Sequence, residues 1–93
     1  MPIKRCTLNG RVIRSLDDLY DRLESRLALP AHFGRNLDAL WDVLSTDVEG
    51  PFEMVWKHAD ESKQLMGRDY NRAVKLIKQL EKERDDFKLK IEP

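Results

Sequence analysis

The hydrophobic and polar positions of this chain follow two different periods. Three segments have apolar residues at every second position, which is typical of strands with one buried face. They are Lys4–Leu8, Phe52–Trp56 and Phe87–Ile91. The turn pair Asn9-Gly10 ends the first of them. We therefore predict three short strands, each with these alternate apolar residues on one face.

Between the first two strands, apolar residues recur at spacings of three and four, which predicts helices. The first helix starts near Ser15, which with Asp18 resembles a capping box that has Asp in place of the usual Glu. Its apolar stripe is Leu16, Leu19, Tyr20, Leu23 and Leu27. Pro30 and Gly34 then break the chain, and a second helix is predicted from about Asn36 to Leu44.

Two more helices are predicted between the second and third strands. A short one runs from about Ala59 to Met66 and ends at Gly67. A longer one follows, with an apolar stripe at helical spacing. That stripe is Tyr70, Ala73, Val74, Ile77 and Leu80.

The order strand, two helices, strand, two helices, strand predicts an α/β fold with a three-stranded parallel sheet, because helical crossovers favour parallel strands. Parallel strands covered on both faces are usually continuous apolar runs. Here Glu53, Lys88 and Lys90 interrupt them. We therefore expect a two-layer domain with four helices packed on one face of the sheet. Without repeats or a linker, residues 1–93 are expected to form a single domain.

Composition restricts the classes of function. The chain has 17 basic and 17 acidic residues, which argues against a nucleic-acid binder, since those are usually strongly basic. No stretch approaches the roughly 18 apolar residues of a membrane span, and Met1–Arg5 lacks the apolar run of a signal peptide. Cys6 is the only cysteine, so no internal disulfide is possible. We expect a cytoplasmic protein that binds neither nucleic acid nor a membrane.

The neutral total conceals two oppositely charged segments. Residues 28–49 contain one cation, Arg35, and four anions, and have a net charge of −3. Residues 68–90 contain eight cations and five anions, and have a net charge of +3. The acidic segment contains the predicted second helix and is the stronger candidate for a binding surface.

At 100° per residue, that helix has one apolar side and one polar side. Asp38 and Asp42 lie on the polar side one turn apart, with Arg35 close to them and Trp41 at the border. Like charges at this spacing destabilise a helix by a few tenths of a kcal/mol. The pair is therefore either an ordinary solvated face or a surface kept acidic for binding.

Catalysis and metal binding have weaker support in the sequence. Asp38 and Asp42 could hold Mg²⁺ or act as an acid/base pair, but a convex helix face offers no cleft that excludes water. His32 and His58 are 26 positions apart without other ligands clustered near them. We expect no metal site, no cofactor and no enzymatic activity.

The run from Ala28 to Leu44 resembles the signature segment of the barstar family of ribonuclease inhibitors. Its core, from Gly34 to Asp42, is long enough to be specific, and shorter matches extend the likeness over nearly the whole chain. These matches are Asn9-Gly10, Ile13-Arg14-Ser15 and Ser62-Lys63-Gln64-Leu65. The resemblance implies a three-stranded parallel sheet with four helices. It also implies a function, which is to block a barnase-like ribonuclease by inserting the acidic helix and the preceding loop into its active site.

The resemblance further implies roles for individual residues. Asp42 would stand in for an RNA phosphate and accept hydrogen bonds from arginine and histidine side chains of the nuclease. Asp38 would pair with another basic group at the rim. Gly34 would let the two backbones approach closely, and His32 lies where the family tends to place a stacking aromatic. The expected partner-binding residues are His32, Gly34, Arg35, Asn36, Leu37, Asp38, Trp41, Asp42, Thr46, Asp47 and Gln79.

Three positions depart from the best-known member of the family. Asp47 stands where that protein has an aromatic contact residue, and Gln79 stands where it has an acidic one. Arg35 places a cation beside the aspartates, where that protein has an anion. These differences keep an alternative open, in which the same fold is an interaction or immunity module for another basic nuclease or a related toxin. In either case we expect the free protein to be a monomer.

Overall fold

The computed structural model describes residues 3–93, and its elements follow the predicted order. The strands are β1 (Lys4–Asn9), β2 (Phe52–Lys57) and β3 (Phe87–Ile91). The α-helices are α1 (Leu16–Leu27), α2 (Leu37–Asp42), α3 (Ala59–Met66) and α4 (Arg68–Glu83), and a π-helical turn, Val43–Asp47, continues α2. Met1 and Pro2, the first two residues of the N-terminal segment without a signal-peptide pattern, lie outside the described residues.

The sheet is parallel throughout, with β2 between β1 and β3, as predicted. Cys6, Met54 and Leu89 form one row across the three strands, and this row faces the helices. The next row, Arg5, Glu53 and Lys88, points to the opposite face, where Arg5 and Lys88 are exposed. The predicted two-layer α/β arrangement, with a parallel sheet and four helices, is confirmed.

A single hydroxyl joins three parts of the core. Ser62 of α3 is fully buried, and its hydroxyl oxygen accepts a hydrogen bond of 3.1 Å from the indole nitrogen of Trp56. The same hydroxyl lies 2.7 Å from the backbone oxygen of Ile13, to which it donates. Trp56 is therefore a core residue, and its one polar atom is satisfied inside the core.

The start of α1 is capped almost as the sequence predicts. The Ser15 hydroxyl accepts a hydrogen bond of 3.2 Å from the backbone nitrogen of Asp18. The Asp18 carboxylate reaches back to the backbone nitrogen of Arg14, at 3.0 Å. A standard capping box would return this bond to Ser15. The shorter Asp side chain instead bonds one residue earlier in the chain.

The end of α2 differs from the prediction of a regular helix that stops near Leu44. The helix continues to Asp47, but as a π-helical turn in which the Val48 nitrogen donates to the Val43 oxygen at 3.1 Å. The hydroxyl of Ser45 donates to the Trp41 carbonyl, at 2.6 Å. The hydroxyl of Thr46 donates to the Asp42 carbonyl, also at 2.6 Å. These side chains satisfy carbonyls that backbone N–H groups would otherwise bind, which favours the wider turn.

Candidate functional site

The two aspartates of the acidic helix are fixed by a cap and by an apolar anchor. The Asn36 side chain caps α2 and accepts a hydrogen bond of 2.8 Å from the backbone nitrogen of Ala39. Leu40 is fully buried, and the half-buried Trp41 packs against the core. Asp38 and Asp42 are exposed. The division of this helix into a core side and an acidic side is therefore as predicted, with Trp41 at the border.

Both carboxylates are free to bind a cation from outside. Within residues 3–93, neither Asp38 nor Asp42 forms a salt bridge. The acidic side chains of α1 differ in this respect, since Asp21 and Glu24 are both bound by Arg35. Because Asp38 and Asp42 have no internal cation, a basic partner would not have to break an existing ion pair to reach them.

A groove of about 450 Å³ runs between α2 and α4 beside these aspartates. It brings together four of the residues predicted from the sequence, namely Leu37, Asp38, Trp41 and Gln79. The rest of its lining was not among the predicted site residues, and consists of Arg72, Lys75 and Leu76. Spacings of three and four along α4 place these three on the same side of the helix as Gln79, and this pattern could have identified them.

The α4 wall of the groove carries positive charge opposite Asp38. Arg72 pairs with Asp69 at 3.4 Å, whereas Lys75 forms no salt bridge among the residues that the structure describes. The amide nitrogen of Gln79 donates to the Glu83 carboxylate at 3.0 Å. The groove thus has an acidic side on α2 and a basic or neutral side on α4.

Arg35 does not occupy the position expected for it. Its φ of 53° places it outside the helix, immediately before the cap residue Asn36. Its guanidinium is directed to α1, where it binds the carboxylates of Asp21 and Glu24. The prediction that Arg35 lies beside the aspartates assumed that residue 35 is helical. It is wrong because the backbone of Arg35 is left-handed and the helix begins only at Leu37.

The loop before α2 is anchored by Phe33 and leaves His32 exposed. The Phe33 ring is buried and meets the Tyr20 ring edge to face, at 5.5 Å between centroids. A Cβ on Gly34 would lie 3.4 Å from the Asn36 amide nitrogen, which is a close but tolerable contact. The structure of the free protein therefore does not require glycine at position 34. Close approach of a partner's backbone remains the predicted reason for this glycine.

The last two predicted residues lie at the far end of the same helix. The Thr46 hydroxyl, besides its bond to the Asp42 carbonyl, lies 3.3 Å from the Asp47 carboxylate. Both residues are exposed. Thr46 and Asp47 thus lie beyond Asp42, at the end of the continuous helix that is opposite the loop of His32 and Gly34.

Comparison with known proteins agrees with the family resemblance read from the sequence. The family model described as Barstar (barnase inhibitor) matches residues 3–92. A protein of Bacillus subtilis (strain 168) with the name "Putative ribonuclease inhibitor YrdF" is 33% identical over 91 residues, which cover 97% of this chain and 100% of that protein. Among residues 3–93, no helix is long and apolar enough to cross a membrane. The match over nearly the whole chain shows that this protein belongs to the barstar family.

Proposed function

We propose that this protein inhibits a barnase-like ribonuclease by placing α2 and the preceding loop in the active site of the nuclease. The observation that carries the proposal is the pair of exposed carboxylates, Asp38 and Asp42, which have no salt-bridge partner in residues 3–93. The family description and the name of the Bacillus relative support the same role. In this proposal the protein acts by occupying the site and has no enzymatic activity of its own.

Asp42 is the proposed phosphate mimic. A ribonuclease active site must hold the anionic phosphate of RNA, and arginine and histidine side chains do so with charge-assisted hydrogen bonds. An exposed carboxylate on a rigid helix presents two acceptor oxygens to the same donors. Asp38, one turn earlier and next to the groove, is proposed to pair with a basic group at the rim of that site.

Two features of the helix reduce the free-energy cost of presenting these charges to a partner. The N-cap bond of Asn36 fixes the first turn, and the buried Leu40 fixes the rotation of the helix. Because the backbone of the helix is already ordered in the free protein, binding does not include the free-energy cost of ordering it. The surface is therefore suited to a partner whose basic groups are themselves fixed, as they are in an active site.

A second candidate is an immunity module for a different basic nuclease or toxin. The observation that favours it is the α4 wall of the groove, where Arg72 and Lys75 stand beside Gln79. A partner with basic groups along its whole rim would be repelled by these cations. A partner with a basic centre and a neutral or acidic rim would not. In both cases we propose a cytoplasmic protein that is monomeric when free.

The proposal is tested by titrating a barnase-type ribonuclease with the intact protein and with Asp42→Ala, at low and at high salt. Breaking one partner of a buried ion pair costs about 3–5 kcal/mol, which corresponds to at least about a hundredfold weaker inhibition. Asp42 is exposed in the free protein, so the free energy of unfolding should change by less than about 0.5 kcal/mol. Asp60→Ala on α3 is the matched control and should leave inhibition unchanged.

The outcomes separate the two candidates. Stoichiometric inhibition that is lost in Asp42→Ala and kept in Asp60→Ala would support the first. No inhibition by the intact protein would reject this nuclease as partner and favour the second candidate. A salt-sensitive complex with another basic nuclease would then be expected. Equal losses of inhibition and of stability in Asp42→Ala would contradict the phosphate-mimic role.

A further inference from the structure

The loop between α1 and α2 ends in a backbone conformation that its sequence does not favour. Arg35 has a φ of 53°, in the left-handed region that few residues other than glycine, asparagine and aspartate adopt readily. Such residues persist where surrounding contacts hold them, and they cluster at binding and active sites. The next residue, Asn36, caps α2. The conformation of Arg35 therefore sets the direction in which the loop enters the acidic helix.

The contacts that hold Arg35 all come from α1. One guanidinium nitrogen lies 2.9 Å from the Asp21 carboxylate and 3.2 Å from the backbone oxygen of Asp17. The other terminal nitrogen binds the Glu24 carboxylate. The Asp17 carboxylate completes the group at 3.7 Å. We call Arg35 with Asp17, Asp21 and Glu24 the α1 clamp.

The clamp explains why three acidic residues lie along one face of α1. Asp17, Asp21 and Glu24 follow one another at spacings of four and three, so that they share one face of the helix. Like charges at these spacings destabilise a helix unless a cation lies among them. Within residues 3–93, Arg35 is the cation that forms salt bridges to all three.

Two aromatic rings extend the clamp into the loop. The guanidinium carbon of Arg35 lies 5.7 Å from the centre of the Tyr20 ring, which is within the range of a cation–π contact. The Phe33 ring also packs against the Tyr20 ring, at 5.5 Å between centroids. Tyr20 thus connects the clamp to the buried anchor of the loop, and the exposed His32 and Gly34 flank that anchor.

We propose that Arg35 is a positioning residue, which orders the loop of residues 29–36 for recognition through the α1 clamp instead of contacting the partner with its charge. This inference rests on the proposed function, because the loop matters only if it enters the partner. A loop that is ordered before binding avoids an entropic cost in the complex. The clamp supplies that order at Arg35, the residue of this loop whose backbone lies in the left-handed region.

The first test measures hydrogen exchange of the Phe33 amide, which donates to the backbone oxygen of Pro30 at 3.0 Å, in the intact protein, Arg35→Gln and Arg35→Lys. The clamp predicts at least tenfold faster exchange in Arg35→Gln, with an intermediate rate in Arg35→Lys, which keeps the charge but loses the fork of donors. Amides of β2 should exchange as before. Arg26→Gln, on an exposed arginine of α1 with no salt bridge in residues 3–93, is the matched control and should leave the loop unchanged.

The second test uses inhibition of a barnase-type ribonuclease, where the two possible roles of Arg35 have opposite signs. If Arg35 acted through its charge, Arg35→Gln would remove a cation facing a basic partner and tighten inhibition. The clamp predicts the reverse, with inhibition weakened about tenfold because the loop is no longer ordered. Charge exchange gives a further check, since Arg35→Glu should weaken inhibition and added Glu24→Arg should partly restore it.

Each outcome has a defined meaning. Faster loop exchange together with weaker inhibition supports the proposal. Unchanged exchange, or tighter inhibition in Arg35→Gln, overturns it. If the intact protein does not inhibit the ribonuclease, the proposed function fails for that partner. In that case the exchange data alone test the clamp. Faster exchange in Arg35→Gln supports it, and unchanged exchange overturns it.

Discussion

Arg84 and Asp86 are joined by two parallel hydrogen bonds of 2.8 Å, from Nε to Oδ1 and from Nη2 to Oδ2. This pairing leaves Nη1 of Arg84 to donate to the backbone oxygens of Leu44 and Val48, at 2.7 and 2.8 Å. The hydrogen bond from Arg84 holds the pKa of Asp86 below its ordinary value. A residue between α4 and β3 thus closes the carbonyl end of the acidic helix, because Asp86 orients its guanidinium.

Replacing Arg84 with methionine should therefore lower the free energy of unfolding. The Arg84 side chain is 15% exposed, and its loss removes both bonds to the helix-end carbonyls. Unpaired groups of this kind cost about 1–3 kcal/mol. Urea denaturation measures the change. Arg26→Met, on an exposed arginine of α1, is the control and should stay within about 0.5 kcal/mol of the intact protein. Equal stability of the two variants would contradict this role for Arg84.

Regular alternation and helical spacing were enough to predict the sheet and most element boundaries. Ala59–Met66 and Phe87–Ile91 begin and end where the sequence places them. In these segments the buried side chains recur every two residues in strands and every three or four in helices. The local sequence is therefore sufficient to predict the element. Asp38 and Asp42 were placed correctly on the exposed side of α2 for the same reason.

The predictions failed where contacts with distant residues or side-chain hydrogen bonds determine the backbone conformation or the packing of helices. Arg35 adopts a left-handed conformation because it binds carboxylates 11 to 18 residues earlier in the chain, a pairing that no local pattern shows. The π-helical turn after Asp42 depends on the hydroxyls of Ser45 and Thr46. The cationic wall of the groove belongs to α4, and its position beside α2 follows only from the packing of the two helices.

The buried Cys6 predicts a loss of stability at alkaline pH. Its side chain is fully buried in the core, and burial raises the pKa of the thiol from 9.0 to about 11. Between about pH 9 and pH 11 the unfolded chain loses this proton before the folded chain does. The free energy of unfolding should therefore fall in that window, by about 1.4 kcal/mol per pH unit at most, and Cys6 should have no effect below it.

Urea denaturation at a series of pH values from 7 to 11 checks this prediction. Cys6→Ala lacks the thiol and should show a shallower alkaline slope, although its overall stability will be lower because a core atom is removed. Some slope should remain, since burial also raises the pKa values of Tyr20 and Tyr70. Parallel slopes for the intact protein and Cys6→Ala would show that the thiol makes no such contribution.

Gln79 gives a test of whether the α4 wall of the groove faces the partner. Gln79→Glu would add a carboxylate to the groove that already contains Asp38 and Trp41. If a barnase-type ribonuclease presents basic groups to this groove, the added charge should strengthen inhibition about two- to fivefold at low salt. The gain should shrink at high salt, because charges at an exposed rim are screened.

The same substitution has a small cost in the free protein. Gln79 donates to Glu83 one turn later, and in Gln79→Glu two carboxylates would face each other at this spacing. This should lower the free energy of unfolding by a few tenths of a kcal/mol. Gln64→Glu on α3 makes the same change in net charge on another exposed helix position and should not alter inhibition. An unchanged inhibition constant for Gln79→Glu would place the α4 wall outside the interface. Weaker inhibition would indicate a partner with an acidic rim, which the cations of Arg72 and Lys75 would favour.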